Sequence, residues 1–331
     1  KEALEECLRH FEPNRRTETI PVTEALGRVT AKAVYAKKSM PHYHASAMDG
    51  IAVVAEKTSD AHESNPLQLR EGEDFVYVDT GNAIPSPFNA VIMIEDINEV
   101  DEHTVEIIEP ATPWQRIRPI GEDITFGEML FPEGHRLRPV DLGVLLASGM
   151  TTVEVVEKPI VHIIPSGNEI VHALDATEKS GEIIEFNGTI FAGLIEEWGG
   201  NPQIQPILPD DPEKIKNSLL KSAEEADIIV INAGSSAGSR DYTVRVLEQI
   251  GEVYTHGIGT RPGKPVSIGK VKNTIVVGVP GYPVSAFLVM DWLVKPLISK
   301  YLHVPEPMRE QIEVVAGRRI VSSLGSEDFI R

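Results

Sequence analysis

The chain has 331 residues, of which 41% are apolar and 24% charged, and a formal net charge of −19. That length accommodates roughly two to four domains, and the composition is that of a soluble globular protein. So acidic a balance argues against nucleic acid or an anionic membrane as partner, since both demand a basic face, but it leaves room for an anionic small molecule at a locally positive site. One basic stretch exists, carrying Arg261, Lys264, Lys270 and Lys272.

No run approaches the roughly 20 apolar residues of a membrane span, and no charged-then-apolar signal segment opens the chain. A single cysteine, Cys7, allows no internal disulfide, so the cytoplasm is the expected compartment. The chain begins at Lys1 and stops at Arg331 in mid-pattern, which reads as a trimmed fragment.

In chain order, KEALEECLRHF places Ala3, Leu4, Cys7, Leu8 and Phe11 at helical spacing, as an amphipathic helix does. Thr23 then reads as the N-cap of a short helix ended at Gly27. The stretch KKSMPHYHASAMDGIAVV carries an exposed loop into a strand, with Ser46 to Gly50 at the turn. From Gly50 to Ile117, alternating segments such as DFVYVDT, NAVIMIEDI and TVEIIEP are punctuated by Gly, Pro and Asn. Period-2 alternation of that kind predicts a small β-rich domain. A mixed segment follows, with one helix over about Pro139 to Ser148 and Asp141 in its first turn.

Beyond Pro159 strands and helices alternate. IVHII leads to the loop SGNEIV, Asn187 caps a helix stopped at Gly199 and Gly200, and PQIQPIL is the next strand. Asp211-Pro212 opens another helix, an N-cap acid followed by proline at the first position. The strand DIIVI then enters the small-residue loop AGSSAGS, where backbone N–H groups can face an anion, and Asp241 opens a helix. TIVVGVPGYP and the long apolar helix PVSAFLVMDWLVKPLISKYL complete the run. Such alternation predicts a doubly wound α/β sheet with its ligand site outside the carboxyl ends of the strands.

Four parts are expected. Residues 1–45 and 118–158 form an elongated mixed α/β domain, 46–117 an inserted β-rich domain, 159–302 the α/β domain, and 303–331 the start of a C-terminal β domain.

Nucleotide-site lookalikes fall away. No G-x-G-x-x-G follows the first strand, and GIGTRPGKP has Pro265 where a Walker A loop needs Ser or Thr. No Cys/His set has zinc spacing, and no G-x-S-x-G elbow appears. What remains is a set of carboxylates at loop ends: Glu169, Asp210 and Asp241, with Asp49 and Asp123 from outside the sheet. Hard carboxylate oxygens suit Mg²⁺, which keeps waters and bridges to substrate phosphates. Asp210 and Asp241 also stand where an acid simply charges a helix N-terminus. For Asp210 that explanation is weakened, because Asp211 already supplies the cap.

PHYHASAMDGIAV, DTGNAIPSPFNAVIMIED, IRPIGEDI, PSGNEIV, NAGSSAGSRDYT, RPGKPVSIGK and VPGYPVSAFL occur in this order. In that collinear set the chain resembles the MoeA/gephyrin-E family, the molybdopterin molybdenumtransferases. The resemblance implies a four-domain, L-shaped protomer acting as a homodimer. It also implies Mg²⁺-dependent insertion of molybdate into adenylylated molybdopterin with release of AMP. By position it carries over a catalytic set of Asp49, Thr80, Arg118, Asp123, Glu169, Asp210 and Asp241, with Glu169, Asp210 and Asp241 as metal ligands. It likewise implies a pterin-phosphate pocket of Gly234, Ser235, Ser236, Gly238, Arg261, Gly263, Lys264, Pro265, Pro280 and Gly281. The adenylyltransferase of the preceding step would be a possible partner. Two other functions are weighed: that adenylyltransferase activity itself, and a gephyrin-like scaffold holding partner peptides.

The chain departs from the family pattern at several points. Ala233-Gly234-Ser235-Ser236 stands for the usual Gly-Gly-Val-Ser, Asn168 for Asp, Tyr282 for Asn in the PGNP loop, Arg261 for Lys, and Gly257 for a further Lys. Arg261 keeps a cation and gains bidentate reach to a phosphate.

Overall fold

The computed structural model describes residues 1–177, 179–233, 242–305, 312–315, 317–322 and 325–330. Its centre is a six-stranded sheet of β1 (Ile160–Ser166), β2 (Asn201–Ile204), β3 (Ile228–Ala233), β4 (Glu252–His256), β5 (Ser267–Val271) and β6 (Thr274–Pro280), in the order β2-β1-β3-β6-β5-β4. β2, β1, β3 and β6 pair in parallel, while β5 runs antiparallel to both β6 and β4.

Parallel strands covered on both faces are predominantly apolar, and β1, β3 and β6 are so, with buried His162 paired to Ser222 and Gln203. On one face Val161, Ile163, Val230 and Val277 pack with the helices Glu2–His10, Asn187–Trp198 and the long C-terminal helix; on the other Ile164, Ile229, Ile231 and Val276 pack with Pro212–Glu225 and Tyr242–Ile250. The doubly wound arrangement is therefore present, with an antiparallel margin that the strand-and-helix alternation did not predict. β5 and β6 are joined by Lys272 and Asn273 alone, with Lys272 at φ +53°. So short a turn can only join antiparallel strands, because a parallel return needs a crossover.

Around this sheet sit the other parts. Thr17–Pro21 pairs antiparallel with Thr152–Val156, and Val34–Tyr35 with Met129–Phe131, over a core including Val22, Phe131, Leu137, Leu145 and Val153. Two distant stretches of chain thus build one module. Between them lie two three-stranded antiparallel sheets, Phe75–Val78/Gly50–Val53/Ala90–Met93 and Leu67–Arg70/Thr104–Ile107/Asn98–Asp101. They share the core of Ile51, Val53, Phe75, Ile92, Val105 and Ile107.

The N-terminal helix, grouped with the elongated part from sequence, buries Cys7 and Phe11 in the same core as β1, β3 and β6. Arg16 continues that attachment. Its guanidinium bonds both carboxylate oxygens of Asp227 (3.0 and 2.9 Å) and Glu157 Oε2 (2.8 Å). Asp227 also accepts from the Ile160 amide at 2.8 Å, so one acid at the foot of β3 holds both β1 and Arg16.

Local signals fared unevenly. Asp211 Oδ1 accepts from the Glu213 and Lys214 amides, as an N-cap before Pro212 should, and Gly199 ends its helix in the left-handed conformation at φ +96°. Thr23 lies inside the 3₁₀ turn Val22–Glu24 and caps nothing. Asn187 is not a cap either. Its side chain turns away to the Gly281 carbonyl, and Glu185 Oε1 instead takes the Gly188 amide at 2.6 Å. The long C-terminal helix runs from Pro283 to Leu302, but as α-helix to Val289, π-helix over Met290–Val294 and α-helix again from Lys295. Pro296 offers no N–H to the carbonyl one turn back, which accounts for the altered ladder just ahead of it. Toward the C-terminus, Glu327–Asp328 pairs in parallel with Thr260–Arg261.

Candidate functional site

β1, β3 and β6 end level with one another, Ser166 opposite Ala233 opposite Pro280. Parallel strands that stop together leave a crevice bounded by the loops that follow, which is where an open α/β sheet offers a ligand site. Here that crevice is a cavity of about 650 Å³. Its floor is Pro165, Ser166 and Asn232; its walls include Ile170, Ile183, Ile184, Phe186 and Pro283. Glu169, Pro265, Pro280 and Gly281, four residues expected at the site, line it.

Glu169 stands half-buried at this wall, and its carbonyl receives the Ile183 amide at 2.8 Å. Asp210 is exposed on the neighbouring loop. The two loops are stitched together: the Gly167 amide donates to the Leu208 carbonyl (3.0 Å), and the Asp210 amide to Asn168 Oδ1 (3.1 Å). Asn168 therefore accepts as the usual aspartate would, without placing a third negative charge beside Glu169 and Asp210. These two carboxylates, hard oxygen donors on adjoining loops, fit a Mg²⁺ ion in ligand chemistry.

The basic loop approaches from the other side. Gly263 is buried at φ +107°, a left-handed conformation that favours glycine, and the adjacent Lys264 is exposed with its carbonyl receiving the Ile258 amide. Arg261 is exposed, and its carbonyl accepts from the Phe329 amide at 2.8 Å. Gly234, Ser235, Ser236, Gly238 and Asp241 lie outside the described residues.

The remaining expected residues form two separate clusters on other modules. Asp49 is exposed, and its Oδ1 accepts from both the Thr80 amide (2.6 Å) and the Thr80 hydroxyl (2.8 Å). Those bonds, the amide's first, hold its carboxyl below the usual carboxylate range. Arg118 donates through Nε to Glu122 (2.7 Å) and through its other end to Asp123 (2.5 Å), which raises its own pKa further. So Asp49 meets Thr80, and Arg118 meets Asp123 and Glu122, pairings that the carried-over set did not specify. Every described residue lining the cavity, by contrast, comes from 165–285.

Sequence reasoning also missed Asn187, Asn232, Glu185 and Phe186 in the cavity wall. For Asn187 the signal was present and misassigned, since an Asn at a helix start is most simply read as its cap.

An α/β sheet with a cavity over its strand ends, flanked by a basic loop and by paired acidic loops, defines a binder of an anionic small molecule. The comparisons with known proteins narrow this to a family. Residues 1–149 match the model of the MoeA N-terminal region (domain I and II), and residues 162–300 that of a probable molybdopterin binding domain. The chain is 32% identical over 330 residues to a molybdopterin molybdenumtransferase of Haemophilus influenzae, covering 96% of this chain and 81% of the relative. It is 31% identical over 345 residues to a putative molybdopterin biosynthesis protein of Methanocaldococcus jannaschii, covering 100% and 84%. A crystal structure of a molybdopterin biosynthesis MoeA protein from Pyrococcus horikoshii superposes with a TM-score of 0.81 at 34% identity, covering 91% of this chain and 79% of that one. The chain belongs to the MoeA family of molybdopterin molybdenumtransferases.

Proposed function

We propose that this protein inserts molybdate into adenylylated molybdopterin, with release of AMP, as a step of molybdenum-cofactor biosynthesis. One observation carries the reading: Glu169, on a loop bonded to that of Asp210, and Pro265, of the basic loop 261–265, line the same cavity over the strand ends. A substrate joined through a pyrophosphate needs both, cations for its charge and carboxylates for a bridging metal. Glu169, Asp210 and Asp241 would hold Mg²⁺. When bound, that ion supplies neutralisation of phosphate charge and polarisation of the bond to be broken. Arg261 and Lys264 would bind the phosphate of the pterin half, with backbone N–H groups of Gly234, Ser235, Ser236 and Gly238 facing it. Pro265, Pro280 and Gly281 line the cavity, and Gly263 gives the basic loop its left-handed turn.

The reading extends to a homodimer. Asp49, Thr80, Arg118 and Asp123 reach no described wall of their own protomer's cavity, and the elongated module leaves Leu26, Phe126 and Val140 exposed. A second copy would cover that surface and bring the Asp49 and Arg118 clusters to its partner's cavity. The alternative of an adenylyltransferase is less favoured, since it gives the first 158 residues no role, and a scaffold would not require the acidic set.

Purified protein with adenylylated molybdopterin, Mg²⁺ and molybdate should release AMP, and release should stop on chelation or in Glu169→Gln. Mixing Asp49→Ala with Glu169→Ala chains should restore part of the activity through hybrid dimers. No AMP release by the parent removes the proposed reaction; no recovery in mixtures shown to exchange subunits removes the shared site.

A further inference from the structure

The basic loop is fastened at two levels. At its base the Gly257 amide donates to the Val266 carbonyl (2.7 Å) and the Ile258 amide to the Lys264 carbonyl (2.9 Å). Its tip is held by a distant part of the chain. Thr260–Arg261 pairs in parallel with Glu327–Asp328, the Glu327 amide donating to the Gly259 carbonyl (2.7 Å) and the Phe329 amide to the Arg261 carbonyl (2.8 Å).

Strands two residues long pair too briefly to hold by backbone bonds alone. Here a side chain completes the attachment. The Phe329 ring packs on Trp292, with centroids 4.2 Å apart and planes tilted by 38°, within the range of favourable aromatic pairs. Trp292 lies in the π-helical stretch Met290–Val294 and packs against the core that holds β1, β3 and β6. The same indole adjoins the loop. A Cβ built on Gly263 would stand 3.5 Å from Trp292 Cζ3 and 3.7 Å from Val289 Cγ2, ordinary van der Waals distances. Gly263 is buried, the exposed Lys264 follows it, and Pro265, next again, lines the cavity. Phe329 and the turn before Lys264 are thus set against one rigid side chain.

We infer that Phe329 is a positioning residue: through its ring on Trp292 and its amide on the Arg261 carbonyl, it fixes the loop that carries Arg261 and Lys264 beside the cavity. The C-terminal stretch thereby takes part in anion binding without supplying a group to the anion. This rests on the proposed function for the role of the two cations, and adds what holds them in place. A cation on a loop that must be ordered on binding loses part of its attraction to the entropy of ordering, so a loop fastened beforehand makes the charge effective.

The test uses the intact protein and inorganic pyrophosphate, with binding followed by calorimetry. Phe329→Ala should weaken binding about fivefold or more, and the amides of residues 257–266 should exchange faster with solvent. Phe329→Tyr keeps the ring and should stay within about twofold of the parent. A ring that acts through the loop's cations must lose much of its effect when one of them is gone. Lys264→Ala should also weaken binding, and the double variant with Phe329→Ala should fall well short of the product of the two single losses.

Equal pyrophosphate binding by Phe329→Ala and the parent overturns the inference, and so does a parent that binds no pyrophosphate. A double variant whose loss equals the product overturns it too, because the ring then acts independently of Lys264. If Phe329→Tyr is as weak as Phe329→Ala, the ring contact is not what holds the loop, and the inference fails. Pyrophosphate binding that depends on Phe329, without AMP release, would remove the proposed reaction and leave the positioning role. AMP release with pyrophosphate binding indifferent to Phe329→Ala would do the reverse.

Discussion

Gly50 follows Asp49 in the SAMDG stretch and heads the central strand of the inserted domain. A Cβ built on it would lie 1.9 Å from the Ile92 carbonyl oxygen and 2.9 Å from Met93 Cα. Its φ lies outside the left-handed region, so Gly50→Ala imposes no backbone strain and its cost is one of space. The obstructing atoms are backbone of the neighbouring strand, locked by the Gly50–Val53/Ala90–Met93 ladder over Ile51, Val53 and Ile92, so they cannot swing aside as a side-chain end would. Overpacking of this kind costs about 1–3 kcal/mol, and the upper end applies where only a ladder shift relieves it. For a module of this size that is a fall of about 5–20 °C in its unfolding temperature. Turnover should fall with it, since the Asp49 carbonyl receives the Ile94 amide and so moves with the same strands. Gly143→Ala is the matched control. Gly143 lies within the helix Pro139–Ala147 with nothing within 4 Å of its built Cβ, and alanine there should add about 0.5–1 kcal/mol. Calorimetry with hydrogen exchange read over residues 46–117 decides it. A Gly50→Ala protein that melts like the parent, with unchanged exchange and turnover, would refute the reasoning.

Two further predictions concern titratable groups away from the cavity. Asp141 is 2% exposed and accepts from the Arg138 amide and guanidinium and from His135 Nε2 at 2.7 Å, which hold its carboxyl well below the usual carboxylate range, the Arg138 side chain foremost. A folded pKa below the unfolded one means stability present above about pH 4 and lost as pH falls further. Asp141→Asn should therefore cost about 2 kcal/mol at pH 7 and flatten that acid loss, as read from denaturant midpoints across pH 2–7. Cys7 is fully buried and its thiol is pushed up to about 12 by that burial, so thiol reagents at pH 8 should label it only on unfolding, and rapid labelling of the native protein would contradict the packing of the N-terminal helix.

How much of this was legible depended on range. The apolar runs of β1, β3 and β6 and the Asp211-Pro212 cap could be read directly, because each signal is completed by residues a turn or a strand away. The antiparallel margin was not, since β4 and β5 are short and only the Lys272-Asn273 turn betrays their direction. The site divided in the same way. The motif order put Glu169, Asp210 and the 261–265 loop at one expected site, of which Glu169 and Pro265 line the cavity, whereas the bond of Asp49 to Thr80 was a contact no spacing specified. Asn187 escaped because its partner, Gly281, is 94 residues away. A side chain that satisfies half its hydrogen bonds across the fold looks, in sequence, like one satisfied by its own helix.

Asp49 accepts from two donors of Thr80, and Asp123 and Glu122 share one guanidinium, whereas Asp210 contacts the neutral Asn168 through its backbone amide. Carboxylates left facing one another would raise each other's pKa or repel, and a subunit that had to fold around such a cluster would bear that cost before any ligand arrived. Distributing them over three modules avoids it. Glu169 and Asp210 remain as the acids beside the cavity whose charge no basic side chain within hydrogen-bond reach is shown to meet. That is the arrangement in which a divalent cation gains most, because it meets negative charge that the fold has positioned but not already neutralised.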